Sequence, residues 1–94
     1  MRIDELQWDD ENVEHIALHG VAPREVEDIC FGLHIGERED GDRYILSGQT
    51  VGGRYLNVVV ERTWRGKFRP ITAFDRSETY RSRYTRKLHK GRKT

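Results

Sequence analysis

Three segments in the second half of the chain alternate apolar and polar residues, and the connections between them are very short. They run from Arg43 to Thr50, Arg54 to Thr63 and Lys67 to Phe74, parted by Gly52-Gly53 and by Arg65-Gly66. In the middle segment Leu56, Val58 and Val60 alternate with Tyr55, Asn57, Val59 and Glu61, the pattern of a strand with one face more buried. Parallel neighbours would need about a dozen residues between them, so short glycine connections imply hairpins and an antiparallel meander. Leu33 to Asp42 can add a further strand, with Asp40-Gly41 as its turn.

The first third follows a different period. Residues 2–8, ending in Gln7-Trp8, read as a short first strand. Asp9 can cap a helix from Asp10 to His19, with acids in its first turn, Gly20 as terminator and Val13, Ile16 and Ala17 at helical spacing. Pro23 opens a second helix through about Phe31, where Pro is tolerated because the first N–H has no helical partner. Its buried stripe is Val26, Ile29, Cys30 and Leu33, and Gly32 ends it. Asp75-Arg76-Ser77-Glu78 reads as a capping box for a last helix, on which Tyr80, Tyr84 and Leu88 recur every four residues. The order predicts an α+β fold of two N-terminal helices, a three- to four-stranded antiparallel sheet and a C-terminal basic helix.

At 94 residues the chain has room for one core, so residues 1–94 are read as one domain, with a flexible tail from about residue 89. Its net charge of +1 conceals two opposed halves. Residues 1–42 carry three arginines against thirteen acids, a sum of −10, whereas residues 43–94 carry fourteen cations against three acids, a sum of +11. Arg81 to Lys93 holds seven Lys and Arg, with His89, and no acid. Such a run suits a polyanion or an acidic protein partner, and the acidic first helices should then face away from RNA. The simpler alternative is that folding interleaves the two halves into surface ion pairs. No apolar run approaches the roughly 20 residues of a membrane span, and no secretory leader is visible, so a cytoplasmic protein is expected.

Chemistry narrows by elimination. Cys30 has no second thiol for an internal disulfide. His15 and His19 have metal-ligand spacing with Glu11 one turn earlier, but no third ligand of clear spacing joins them, so no metal is expected. Ser47, Ser77 and Ser82 lie in no strand-to-helix elbow, and the glycines form no phosphate cradle, so neither a hydrolase triad nor a nucleotide cofactor is indicated. Metal-free RNA cleavage demands less: a proton acceptor, a proton donor and cations that stabilise the phosphorane. His19, Arg54 and Arg81 or Arg83 could supply these, with Trp8 or a tyrosine to stack an unpaired base. A basic helix on a sheet could equally serve only to bind.

The run Trp8-Asp9-Asp10-Glu11-Asn12, then His15-Ile16, His19-Gly20-Val21 and Pro23-Arg24-Glu25-Val26-Glu27, resembles the opening of the BrnT toxins. Arg43-Tyr44-Ile45-Leu46-Ser47-Gly48, Gly53-Arg54-Tyr55-Leu56, Pro70-Ile71-Thr72-Ala73 and a basic helix with Arg81 and Tyr84 follow in the family's order, so the resemblance spans about residues 2–84. It implies a RelE-like ribonuclease toxin of a type II toxin–antitoxin system, which cleaves RNA without a metal and blocks translation. It also implies a hetero-oligomer with a BrnA-like antitoxin, through which alone the complex would meet DNA. By motif match the catalytic positions would be His19, Arg54 and Arg81, and the RNA-binding ones Trp8, Arg83, Tyr84 and Lys87. The chain departs from the pattern at Leu18, Gln49 and Phe74, where basic residues are usual, and at Tyr80, where an acid is. Removing a phosphate-binding arginine can cost roughly 100-fold in rate. The alternative is therefore a catalytically weakened BrnT-like binding protein that acts with its antitoxin as a co-repressor.

Overall fold

The computed structural model describes residues 1–76. In order, these form β1 (Glu5–Leu6), α1 (Asp10–Ala17), α2 (Pro23–Phe31), β2 (His34–Asp40), β3 (Arg43–Gln49), β4 (Tyr55–Trp64) and β5 (Lys67–Asp75). The strands make one mixed sheet in the order β1-β5-β4-β3-β2. β2 through β5 are the expected antiparallel meander, with β2 the strand read from residues 33–42. The expected count of three to four strands is corrected to five, because β1 adds to the far side of β5 and runs parallel to it. The whole α1–α2–β2–β3–β4 excursion intervenes between these two strands, which is why no short-range pattern announces the pairing. The positions expected to form a last helix, Tyr80, Arg81, Tyr84 and Leu88 among them, and the expected tail from residue 89 lie outside the described residues.

α1 starts where Asp9 takes the backbone N–H of Asn12 at 2.8 Å, while the Asn12 side-chain oxygen takes the N–H of Asp9 at 2.9 Å. That reciprocal pair satisfies two of the four orphan donors of a helix start. The helix is shorter than expected, ending at Ala17 rather than His19. Gly20 N–H bonds Ala17 O at 2.9 Å and Val21 N–H bonds Ile16 O at 3.1 Å, with Gly20 at φ +69°. This is a glycine-closed Schellman turn, and Ile16 and Val21 are the buried apolar pair that usually accompanies it. At the start of α2 the Glu25 carboxylate accepts the Ala22 N–H at 3.1 Å.

Ile16, Val26, Ile29 and Cys30 pack with Leu46, Leu56, Val58, Val60, Phe68 and Ala73 in one core. The register places Leu46, Val58 and Ala73 side by side, so one face of three strands is continuous hydrocarbon. Two helical expectations are corrected. Ala17 is exposed while Asn12 is buried, so the inner stripe of α1 is Asn12 and Ile16 with Val13 partly covered. Leu33, expected in the α2 stripe, is 97% exposed. The chain turns extended at Gly32 (φ −100°, ψ −158°), which takes Leu33 out of the helical period.

Cys30 is buried as expected, and burial, then the charge of Glu27, pushes its thiol up to about 12. At neutral pH almost none is thiolate, the nucleophilic form. A disulfide reagent should therefore label Cys30 only as the domain opens, with a rate that rises with denaturant. Rapid stoichiometric labelling of the folded protein would contradict this packing.

Candidate functional site

Arg54 stands just before β4, beside the closing turn of α1, the start of α2 and the end of β5. Its Nη1 donates to Gly20 O at 2.8 Å and to Glu25 Oε1 at 3.2 Å. Its Nε reaches Asp75 Oδ2 at 3.4 Å, and Nη2 reaches His19 O at 3.5 Å. Its backbone N–H is taken by Thr50 Oγ1 at 3.0 Å, and its carbonyl accepts the Thr50 N–H at 2.8 Å, which fixes the β3–β4 connection beneath it. One guanidinium thus faces two carboxylates and two carbonyls at a helix C-terminus, the negative end of the dipole. The formal charges of Arg54, Glu25 and Asp75 sum to −1. About two thirds of each of the three charged side chains is covered, so these contacts are only partly screened.

His19 and Arg54 therefore meet through the histidine's backbone carbonyl and not its ring. The His19 ring lies against Phe74, edge to face, with centroids 6.3 Å apart, and 6.0 Å from the His15 ring. At Phe74 this imidazole meets hydrocarbon and no cation. Gln49 uses its amide to close the β3–β4 turn on Gly53 O at 3.1 Å. Leu18 is 82% exposed.

Trp8 is not a free stacking surface. It is half-buried against the core, and its indole N–H is buried without a hydrogen-bond partner among the described residues. Arg69, a neighbouring cation on β5, is taken by Asp9: Nε lies 3.0 Å and Nη2 2.9 Å from Oδ2, with Glu11 at 4.0 Å. The Asn12 N–H and then Arg69 hold the Asp9 carboxyl below the usual carboxylate range. Arg81, Arg83, Tyr84 and Lys87 lie outside the described residues. Among the described residues no group of three or more His, Cys, Asp or Glu is placed to hold a metal ion, and no helix is long and apolar enough to cross a membrane.

Two functional features escaped the sequence. One is the pair Glu25 and Asp75 around Arg54; the Asp75-Arg76 dipeptide suggested a helix start, and nothing local links it to Arg54. The other is Asn12, whose Nδ2 donates to Gln7 O and Pro70 O, each at 3.0 Å, and so holds the entrance of α1 to β5. The opposed charge of the two halves is partly consumed by such pairing, since Glu25, Asp9 and Glu11 come from the acidic half and Arg54 and Arg69 from the basic one. No family model, no curated protein and no solved structure matches the chain.

Proposed function

We propose that this chain is a BrnT-like protein of RelE-like fold in which binding, and not RNA cleavage, is the working function, with a BrnA-like antitoxin as partner and co-repression as the outcome. The observation that carries the reading is the engagement of Arg54 by Glu25, Asp75 and the closing carbonyls of α1. A phosphate entering there would meet two carboxylates before one shared cation. Cleavage by 2′-OH attack builds negative charge on the phosphorane, and its catalysis depends on donors aimed at that charge. Phe74 offers His19 no such donor, and Arg69 is committed to Asp9.

The order of elements, two helices followed by an antiparallel meander, supports the RelE-like part of the reading, as does the BrnT-like run from Trp8 to Glu27. The competing reading, a translation-blocking endoribonuclease, needs its phosphate cations from Arg81 and Arg83. Tight induction of the full chain alone in a bacterial host separates the two. Growth and amino-acid incorporation should continue at the uninduced rate while soluble, folded protein accumulates. Rapid translational arrest that His19→Ala abolishes would refute the proposal.

A further inference from the structure

At the opposite end of β4 from Arg54, the β4–β5 hairpin runs Arg62-Thr63-Trp64-Arg65-Gly66-Lys67, three cations and no acid. Beside it is an open groove of about 480 Å³ whose walls include Arg2, Arg62 and Arg65, with Asp4 the one carboxylate. Among the described residues neither Arg62 nor Arg65 is paired with a carboxylate, and Arg2 has only an exposed pair with Asp4 at 2.9 Å. The Arg62 guanidinium lies 5.8 Å from the ring centroids of both Tyr44 and Phe68, so two aromatic faces hold its planar fork in place.

The turn is also held firmly. The N–H groups of Asp4 and Glu5 both donate to Gly66 O, at 2.8 and 3.1 Å, which locks the hairpin to the N-terminal strand. Gly66 has φ +73°, and a Cβ there would collide with the Asp4 carboxylate. On the other flank Arg62 N–H bonds Asp42 O at 2.8 Å, which ties the hairpin to the β2–β3 turn. Trp64, on the same hairpin, is 71% exposed. An exposed indole between two arginines adds little to folding, but it offers a flat face to an unpaired base.

We propose that this groove and hairpin bind single-stranded nucleic acid, with Arg62, Arg65 and Arg2 on successive phosphates and Trp64 stacked on a base. Repeating phosphate and base is the ligand chemistry that uses both features at once; a lone phosphate would leave Trp64 idle. The site lies a strand's length from His19 and does not depend on whether cleavage occurs there.

The test is fluorescence anisotropy of the full chain with a labelled 12-nucleotide single-stranded RNA, the same sequence as DNA, and polyglutamate, at two salt concentrations. Thermal melting confirms that each variant is folded. Arg62→Ala with Arg65→Ala should weaken binding about 10-fold or more at low salt and make the salt slope shallower by about 1.4, roughly 0.7 for each lost phosphate contact on a single strand. Trp64→Ala should weaken it roughly 10-fold with the slope unchanged. Binding of RNA alone, DNA alone or both supports the site and identifies its source. Equal affinity of parent and variants, which would place all binding on the basic run Arg81 to Lys93, overturns it, as does no binding by the parent. A preference for polyglutamate would overturn it in favour of an acidic protein partner. None of these outcomes bears on translational arrest, so this inference and the proposed function fail separately.

Discussion

Asn12→Asp should destabilise the protein by about 3–5 kcal/mol, a large part of what a domain this small possesses. Asn12 is 1% exposed, and its three side-chain hydrogen bonds connect the Asp9 N–H, Gln7 O and Pro70 O. An aspartate retains the acceptor but replaces the amide donor with an oxygen aimed at two carbonyls. It also buries a charge three residues from the Asp9 carboxylate. A buried charge without a partner is among the few single changes that unfold small domains. Asn12→Ala should cost less, about 2–3 kcal/mol, since it strands two carbonyls without adding charge. Urea unfolding followed by circular dichroism reads both; an Asp variant as stable as the parent would show that Asn12 does not hold α1 to β5.

Arg54→Ala carries the second large effect, about 2 kcal/mol, or roughly 10 °C in melting temperature for a chain of this length. The guanidinium joins α1, α2 and β5 through four acceptors, so its removal leaves Glu25 and Asp75 without the cation they share. The figure is kept low because the three side chains remain 28–33% exposed and water replaces part of what is lost. Arg54→Lys should recover little, because an ammonium is a point donor and cannot span carboxylates and carbonyls in different directions. If instead Arg54→Ala melts with the parent, the guanidinium is free for a ligand, as a catalytic role would require.

The sheet was legible because period-two alternation survives in β3, β4 and β5, and because Gly52-Gly53 and Arg65-Gly66 allow only hairpins. β1 was legible as a strand but not as a partner, since two residues carry no register and their neighbour lies more than sixty residues away. Leu33 misled because Gly32 breaks the period one residue before it, and periodicity counts leucines without seeing the break. The candidate site was readable in residue type alone. His19 and Arg54 do meet, yet what decides their chemistry is the set of groups around them, Glu25, Asp75 and Phe74. These come from α2 and the end of β5, which share no motif and stand about fifty residues apart. Asn12 reads as a helix-surface residue for the same reason, because its partner Pro70 stands 58 residues on.

Whether the folded protein binds without cleaving is read from the rate at which the purified chain cleaves a single-stranded RNA in the presence of a chelator, measured beside its His19→Ala variant. The two rates should be indistinguishable, because Arg54 is committed within the fold and Phe74 faces the imidazole. Cleavage by the parent that falls about 100-fold or more in the variant would contradict it, since a positioned acid–base contributes on that order. His19 would then be working with a cation that Arg54 does not supply.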